Sequence, residues 1–330
     1  MLFSICVPAY NAEKTIEDCI NSVRKQNFQD YELIIVNDGS TDKTLSIIND
    51  LYESDRKVRI VNQENKGLFA ARMKGIAEAS GDYIINLDAD DWLHVDALKI
   101  IALKIKRYSP DIVLYNHSEF NDRFRKDFYF FDKDEDRVWK KGGLDEVYHA
   151  YLDGRISSIC MKAIKRTLFR FENFIDYPRL SFSEDWIHSF YPMKTAECIV
   201  YIPNLLYMQR IDSNSMTRSF DPSIKLSLQI VHALRNDSFF EDKYGEEPDI
   251  WYLKAISKSI LYYRCAIRDE SVYLDYLRNL SRDQELKKMY KAKNNKLSLV
   301  YKMPLQLLFR NKYKMLMRMK YIVSGIRVNE

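Results

Sequence analysis

A chain of 330 residues in which 46% are hydrophobic can bury a substantial core, so its composition excludes a disordered protein. The five cysteines are scattered and lack CxxC spacing, which excludes a disulfide-rich secreted domain and a cysteine zinc site. The amino terminus enters a strand pattern without a signal sequence, and no apolar run reaches the roughly 18 residues of a membrane-spanning helix. We therefore expect a globular, cytoplasmic protein.

The formal net charge of +4 is distributed unevenly along the chain. Residues 281–330 contain 13 Lys/Arg against 3 Asp/Glu, whereas the first 280 residues are net acidic. A basic carboxyl-terminal segment of this kind is typical of proteins that contact an anionic surface, and both membrane phospholipid and nucleic acid fit it.

The first part of the chain alternates buried strand patterns with helical patterns. Strands are predicted at residues 2–7, 31–36, 58–61 and 83–85, and each is followed by a helical pattern, the third at 68–79 and the fourth at 95–108. A further strand is predicted at 111–115. Such alternation predicts an α/β fold, Rossmann-like, with a mostly parallel sheet and helices on both faces.

The middle and end of the chain are less regular. Residues 116–139 are aromatic and charged and predict strands beside the main sheet, and helices are predicted at 143–151 and 164–169. Ser183 is a suitable N-cap for a helix whose first turn contains Glu184 and Asp185. After a strand at 205–209, the chain from residue 221 onward reads as helix, so we expect two domains, 1–220 and 221–330.

Three carboxylates lie within four residues at the end of the fourth predicted strand, in the segment Asp88-Ala89-Asp90-Asp91. Like charges so close together raise one another's pKa unless a cation neutralises them. Asp91 also suits an N-cap of the following helix, so a helix-capping turn is the alternative. The position at the carboxyl end of a parallel strand, where ligands of open α/β sheets bind, favours the cation site.

Four motifs and an acidic pair occur in a fixed order along residues 1–215, and together they resemble glycosyltransferase family 2, of the bacterial surface-polysaccharide type. The segments that carry the resemblance are Val7-Pro8-Ala9-Tyr10-Asn11, Asn37-Asp38-Gly39-Ser40, Asn65-Lys66-Gly67-Leu68 through Arg72, Leu87-Asp88-Ala89-Asp90-Asp91 and Glu184-Asp185-Trp186. The resemblance implies the GT-A fold, a nucleotide-sugar donor, Mn²⁺ or Mg²⁺ as cofactor and inversion at the anomeric carbon.

The resemblance also implies roles for residues on the donor side. Pro8, Ala9 and Tyr10 are expected against the base or ribose, and Asp38 resembles the acceptor of the uracil N–H, with a capping turn as its alternative. Either Lys66 or Arg72 is expected to counter the donor phosphates, while Gly67 allows close approach of the backbone. For Lys66, an ordinary surface lysine is the alternative.

At the acidic segment and beyond, further roles follow from the resemblance. Asp88 resembles the residue that contacts ribose or metal-bound water, and Asp90 resembles the direct metal ligand, with Ala89 between them. Asp185 resembles the base that removes the acceptor proton, and adjacent Glu184 is the alternative. Arg210 is a candidate diphosphate contact, with an exposed surface arginine as the other interpretation.

The basic tail contains apolar residues at helical spacing between 305 and 323, with Arg310, Lys314 and Arg318 in an i, i+4 row. This pattern predicts a cationic amphipathic helix that lies on an anionic membrane. An ordinary helix that packs its apolar face on the protein is the alternative.

These observations favour a metal-dependent inverting glycosyltransferase that adds one sugar, first of all from a UDP-sugar, to a glycan or lipid-linked acceptor. It would act on the inner face of the cell membrane. The alternative is a non-catalytic scaffold subunit that binds a nucleotide-sugar or glycan there. A nicotinamide-dependent oxidoreductase is disfavoured because no GxGxxG follows the first strand, and nucleic-acid binding because no known motif is present.

Overall fold

The computed structural model describes residues 3–52, 57–121, 123–170, 180, 184–211, 224–235, 237, 244–245, 247–266 and 270–318. The chain divides into two compact units, Met1–Asp212 and Ser213–Glu330. Ser183, the predicted N-cap, lies outside the described residues, as do residues 212–218.

The first unit is built on one mixed sheet. In the part of the chain that the structure describes, ten strands pair in the order β3-β2-β1-β4-β9-β6-β10-β5, with β7 beside β6 and β8 beside β10. The strands are β1 Phe3–Ala9, β2 Tyr31–Asp38, β3 Val58–Gln63, β4 Tyr83–Asn86, β5 Trp92–Leu93, β6 Ile112–Asn121, β7 Phe124–Phe128, β8 Arg137–Lys140, β9 Lys162–Lys165 and β10 Cys198–Arg210.

Helices connect these strands and pack on the sheet. They are α1 Ile16–Arg24, α2 Thr44–Tyr52, α3 Leu68–Glu78, α4 Ala97–Tyr108, α5 Asp145–Leu152 and α6 Glu184–Thr195. The apolar face of α1 is fully buried and consists of Ile16, Cys19, Ile20 and Val23. The α/β prediction is thus confirmed, and the four neighbouring strands β3, β2, β1 and β4 are parallel.

The parallel register brings three loops to one edge of the sheet. Ala9 in β1 pairs with Asn37 in β2, and Cys6 in β1 pairs with Asn86 in β4. The segments that follow these strands, which begin at Tyr10, Gly39 and Leu87, therefore leave the sheet side by side. This edge is where ligands of open α/β sheets bind.

Three local predictions differ from the structure. Residues 164–169 were predicted as helix, but they form the end of β9 and a 3-10 turn, because β9 fills the space between β4 and β6 as an antiparallel strand. The helix after the acidic segment begins only at Ala97, since the short strand β5 intervenes, so Asp91 does not cap it. The strand predicted at 205–209 belongs to a longer one, β10.

The second unit is helical in its described part, as predicted for the carboxyl-terminal region. Its helices are α7 Ile224–Arg235, α8 Glu247–Ala266, α9 Glu270–Arg282, α10 Gln284–Lys293, α11 Leu299–Phe309 and α12 Tyr313–Arg318. Their apolar faces share one core, with members such as Leu228, Ile256 and Leu277.

The basic tail is not one continuous helix. Helix α11 ends at Phe309, and Asn311 with a φ of 54° turns the chain before α12 begins. Leu305, Leu308 and Leu316 are buried in the core of the second unit, so these apolar residues of the predicted amphipathic helix pack on protein. Within the described residues, no helix combines the length and apolar character needed to cross a bilayer.

Candidate functional site

The acidic segment between β4 and β5 presents its three carboxylates in different environments. Asp88 is partly exposed, Asp90 is exposed and Asp91 is 4% exposed. The Asp91 carboxylate accepts hydrogen bonds from the Tyr207 hydroxyl (2.6 Å) and from the Arg210 backbone N–H (2.7 Å). Asp91 therefore fixes the segment to β10, which leaves Asp88 and Asp90 as the carboxylates that can reach a ligand.

Arg72 lies at the centre of the site, with 1% of its side chain exposed. Its Nη2 donates to the Asp88 carboxylate at 2.6 Å, and its Nη1 donates to Asp185 and lies 3.5 Å from Glu184. Three carboxylates from two separate elements thus share one guanidinium, whose planar fork suits paired acceptors. The described ion pairs of Arg72 are with carboxylates, and the expectation that either Lys66 or Arg72 counters the donor phosphates stays a prediction.

Helix α6 begins at this cluster, with Glu184 and Asp185 in its first turn. Burial, together with the adjacent Asp185 carboxylate, raises the pKa of Glu184 to about 7. Burial also raises the pKa of Asp185, while Arg72 and a hydrogen bond from Ser158 oppose that rise. Both carboxyl groups can therefore exchange protons closer to neutral pH than free side chains do.

The pKa of Asp90 is raised as well. The surrounding protein partly desolvates its carboxyl, and the Asp88 carboxylate lies nearby, so the pKa of Asp90 rises to about 6. A bound divalent cation would relieve this repulsion, and carboxylate oxygens are ligands that Mg²⁺ and Mn²⁺ prefer. The donor set at Asp88 and Asp90 fits such an ion.

The turn after β2 holds a second buried carboxylate. Asp38 is 2% exposed and accepts from the backbone N–H groups of Lys66 and Gly67 (both 2.8 Å) and from the Gln63 side chain (2.7 Å). A carboxylate offers about four acceptor positions, so three donors leave one free. Asp38 is therefore fixed in place and still able to accept one further N–H.

Helix α3 connects these two parts of the site. Gly67 is its N-cap, with a φ of 90°, and donates to Asp38, while Arg72 follows within the next turns of the same helix. The Lys66 side chain is exposed at this end of the helix. One helix thus sets the position of the Asp38 turn relative to the carboxylate cluster.

The loop after β1 is bound to the loop after β2. The Asn11 side chain accepts from the Thr41 N–H (2.8 Å), and the Ala12 N–H donates to the Thr44 hydroxyl (2.7 Å). Pro8 and Ala9 are buried at the end of β1, whereas 51% of Tyr10 is exposed. Tyr10 is therefore the member of the predicted Pro8-Ala9-Tyr10 group that is free to stack on a ligand.

Arg210, at the end of β10, lies beside the acidic segment. Its Nε donates to the Asp90 carbonyl (3.2 Å), its Nη2 donates to Asp18 (2.9 Å), and its guanidinium lies over the Trp92 ring at 5.2 Å. The predicted residue thus lies within contact of the segment that contains Asp88 and Asp90, partly exposed and close to a potential anionic ligand.

Several residues at the site have no signature in the sequence. Cys160 is buried with its Sγ 3.5 Å from Asp88, and Tyr207 reaches the acidic segment from β10. Lys162 is fully buried, donates to the carbonyls of Ile156 (2.7 Å) and Ser158, and has its pKa lowered to about 7 by burial. The partners of Cys160 and Tyr207 lie 72 and 116 positions away along the chain, so sequence spacing does not identify them.

His188, one turn after Asp185, makes packing contacts. Its ring nitrogens lie 2.7 Å from the Glu184 carbonyl and 3.2 Å from the Phe69 carbonyl, and its ring packs on Phe69 at 4.2 Å. It therefore holds the start of α6 against α3, next to Arg72.

Comparison with known proteins identifies the family. Residues 4–170 match the description "Glycosyl transferase family 2". The chain belongs to glycosyltransferase family 2. It is 32% identical over 230 residues to glycosyltransferase GlyG of Streptococcus pneumoniae serotype 4, a match that covers 67% of this chain and 75% of GlyG. A putative glycosyltransferase, EpsH of Bacillus subtilis, is 29% identical over 67% of this chain and 64% of its own length.

Solved structures support the same fold. S. aureus TarS 1–349, in a crystal structure with UDP-GlcNAc, superposes with a TM-score of 0.70 at 18% identity, covering 99% of this chain and 93% of that one. This glycosyltransferase therefore has the GT-A fold, followed by a helical region, and both the family and the fold predictions are confirmed.

Within the described residues, no group of three or more His, Cys, Asp or Glu side chains is arranged to hold a metal ion. A site of one or two carboxylates, completed by ligand oxygens, does not require such a group. The metal prediction therefore rests on Asp88 and Asp90 and on their electrostatics.

Proposed function

We propose that this glycosyltransferase is a metal-dependent inverting enzyme that transfers one sugar from a nucleotide diphosphate donor, first of all a UDP-sugar, to a glycan or lipid-linked acceptor. The observation that best supports this proposal is that the Arg72 guanidinium binds Asp88 of the acidic segment through Nη2 and Asp185 of α6 through Nη1. A donor-side carboxylate and a candidate base are thereby held at a fixed separation.

The donor side is proposed to consist of the loops at the carboxyl edge of the sheet. Asp38, with one acceptor position left, suits a base that presents an N–H, and exposed Tyr10 suits stacking on that base or its ribose. The structurally similar protein S. aureus TarS was crystallised in complex with UDP-GlcNAc, which supports a UDP-sugar as the first donor to examine. Lys66 and Arg210 are proposed to face the diphosphate.

Asp90 is proposed as the direct metal ligand, with Asp88 as the second contact, through metal-bound water or ribose. A bound Mn²⁺ or Mg²⁺ would neutralise charge on the leaving diphosphate. Arg72 occupies one oxygen of Asp88 and so orients the other, while Asp91 and Tyr207 hold the whole segment.

Asp185 is proposed as the base. It would accept the proton of the acceptor hydroxyl while that oxygen bonds to the anomeric carbon and the bond from this carbon to the donor diphosphate breaks. Arg72 and Ser158 orient the Asp185 carboxylate. Glu184, whose pKa is about 7, is the alternative, because a base works best when its pKa lies near the working pH.

A thermal-shift panel of UDP, GDP, CDP and dTDP, each with and without Mn²⁺, tests the donor site. We expect UDP with Mn²⁺ to raise the melting temperature of the wild type, since a ligand that binds only the folded state stabilises it by mass action. Asp90→Ala should lose this shift, whereas the exposed Asp82→Ala, after α3, should keep it. If none of the four nucleotides raised the melting temperature, the result would contradict the proposal.

The acceptor is proposed to belong to surface-polysaccharide synthesis at the inner face of the cell membrane, where a basic carboxyl-terminal segment would meet anionic phospholipid. Because Leu305 and Leu308 are in the protein core, the proposed membrane contact is electrostatic. Flotation with anionic liposomes should therefore be lost at high salt, and flotation that persists at 1 M salt would contradict it. Binding without turnover would instead favour the scaffold alternative.

A further inference from the structure

The second unit contains a groove of about 320 Å³, and its lining includes none of the residues described at the candidate functional site. We name it the basic groove, and its lining residues are Lys287, Tyr290, Lys291, Asn294, Lys302, Gln306, Phe309 and Arg310. All eight come from α10, from α11 and from the residues that directly follow these helices.

The lining follows helical periodicity on both sides. Residues 287, 290, 291 and 294 are spaced i, i+3, i+4, i+7 and form one face of α10, while 302, 306, 309 and 310 form one face of α11. The rings of Tyr290 and Phe309 meet with centroids 5.2 Å apart and join the two faces. The groove is thus formed between two helices that contact each other through these two rings.

The charge of the groove is uncompensated. It is lined by four cationic side chains and by no Asp or Glu. Among the described residues, none of these four cations has an ion pair, whereas Arg278 on α9 pairs with Asp275 at 3.0 Å. Lys291 and Arg310, from opposite sides, are exposed. Converging like charges repel one another, and an anionic ligand would remove that cost.

We propose that the basic groove binds phosphate groups. Lysine and arginine side chains commonly bind phosphate oxygens in proteins. The side-chain amides of Asn294 and Gln306 can donate further hydrogen bonds, and the rings of Tyr290 and Phe309 provide an apolar wall. Phosphate could be presented by a soluble phosphate compound or by lipid headgroups. The groove shares no residue with the proposed donor site, so the proposal does not depend on the donor nucleotide or on the metal.

The first test is calorimetric titration of the full chain with inorganic pyrophosphate in EDTA. We expect Lys291→Gln/Arg310→Gln, which removes one exposed charge from each side, to weaken binding at least tenfold. The matched control, Lys288→Gln/Lys314→Gln, removes two exposed charges of the same unit outside the groove and should stay within twofold of the wild type. Asp90→Ala should also bind like the wild type, which separates this site from the donor site.

The second test uses sedimentation with vesicles of phosphatidylglycerol and phosphatidylcholine. Loss of phosphatidylglycerol binding in the groove variant alone assigns the phosphate to lipid headgroups. Weaker pyrophosphate binding in that variant, with vesicle binding intact, assigns it to a soluble compound. Equal behaviour of groove variant and control in both tests would overturn the proposal, as would pyrophosphate binding that depends on Asp90.

Discussion

Arg72 shows how one residue organises the chemistry of this site. Its buried guanidinium contacts Asp88, Asp185 and Glu184, while its Nε has no hydrogen-bond partner among the described residues. Burying so much charge is favourable only while every ion keeps its counter-ion. The stability of the cluster and the placement of the carboxylates are therefore coupled through one side chain.

Replacing Arg72 tests this coupling. Arg72→Met leaves several carboxylates without their counter-ion, so we expect a loss of about 3–5 kcal/mol in the free energy of unfolding. Adding Asp185→Asn to Arg72→Met should recover part of that loss, because it removes one of the uncompensated charges. Denaturant unfolding of both single variants and the double variant gives the interaction energy, and strict additivity would show that the pair is not coupled.

Arg72→Lys separates charge from geometry. Lysine keeps the positive charge but cannot hold Asp88 and Asp185 on two nitrogens at once. We expect turnover to fall by about 100-fold, since small misplacement of reacting groups is costly. An initial-rate comparison with wild type measures it, and full activity in Arg72→Lys would mean that charge alone suffices.

Asp90 gives a pH-dependent prediction. Its pKa is 3.8 as an ordinary side chain and about 6 in the folded protein, so the folded state holds this proton more tightly and loses stability as pH rises from about 4 to 6. Asp90→Asn removes this cost. In EDTA the variant should be more stable than wild type by about 1 kcal/mol at pH 7, a value that allows for solvent screening of an exposed group. The difference should vanish below pH 4, and a constant difference across this range would contradict the assignment.

At the scale of single residues, the sequence identifies the site residues that lie directly at the end of a predicted strand or at the start of a predicted helix. Asp88 and Asp90 follow a strand directly, and Asp185 opens a helix, so their positions are predictable. The partners of Arg72 are not, because its ion pairs span 16 and 113 positions along the chain. Such contacts form only when elements that are distant in the chain come together in the folded protein.

Among the structural elements, β10 has a double task, because it pairs with β6 and also anchors the acidic segment. Tyr207 and the Arg210 backbone bind Asp91, while Tyr201, six residues earlier on the same strand, binds Asn116 in β6 at 2.9 Å. The two tyrosines are equally buried but face different parts of the molecule.

This pair gives a matched test. Tyr207→Phe and Tyr201→Phe should each cost about 1–3 kcal/mol, because each leaves a buried polar partner without its hydrogen bond. Only Tyr207→Phe should also weaken Mn²⁺-dependent nucleotide binding, since it releases Asp91 and the acidic segment. Calorimetric titration measures the affinity, and equal affinities in both variants would show that β10 does not set the position of the segment.

The turn between β2 and α2 is constrained by Gly39. Its φ is 69°, and a Cβ there would lie 2.7 Å from the Asn65 backbone nitrogen, next to the residues that bind Asp38. Gly142 has a φ of 90° but no atom within 4 Å of its Cβ position. The two glycines thus both have a positive φ and differ in the space around them.

We expect Gly142→Ala to cost about 1–2 kcal/mol from the left-handed backbone alone. Gly39→Ala should cost at least about 1 kcal/mol more, because the Asn65 backbone must shift, and it should also weaken nucleotide binding. Equilibrium unfolding compares the two variants directly. Equal losses would mean that the contact with Asn65 is not limiting.

Strands β1 to β4 and their helices are predictable because apolar residues recur with the right period and caps or glycines separate them. The helix prediction at 164–169 fails because Ile164 and Lys165 end a strand, and this strand is selected by pairing with β4 and β6 rather than by local sequence. Local preference loses there to sheet formation.

For the molecule as a whole, the division into a sheet-based unit and a helical unit separates two kinds of charge. The acidic carboxylates and Arg72 lie in the first unit, and the basic groove lies in the second. The composition predicts this asymmetry. It does not predict that Leu305, Leu308 and Leu316 pack in a core, because an amphipathic pattern serves a membrane and a protein interior equally well.

The most direct measurement of the central claim is donor turnover by the whole chain. Release of UDP from a panel of UDP-sugars with Mn²⁺ is followed for wild type, Asp185→Asn and Glu184→Gln, and UDP affinity is measured on the same samples. We predict that Asp185→Asn binds UDP within about twofold of wild type but releases UDP about 100-fold more slowly or worse. Wild-type turnover in Asp185→Asn, with loss in Glu184→Gln, would assign the base to Glu184. Wild-type turnover in both variants would contradict the assignment of the base to this end of α6.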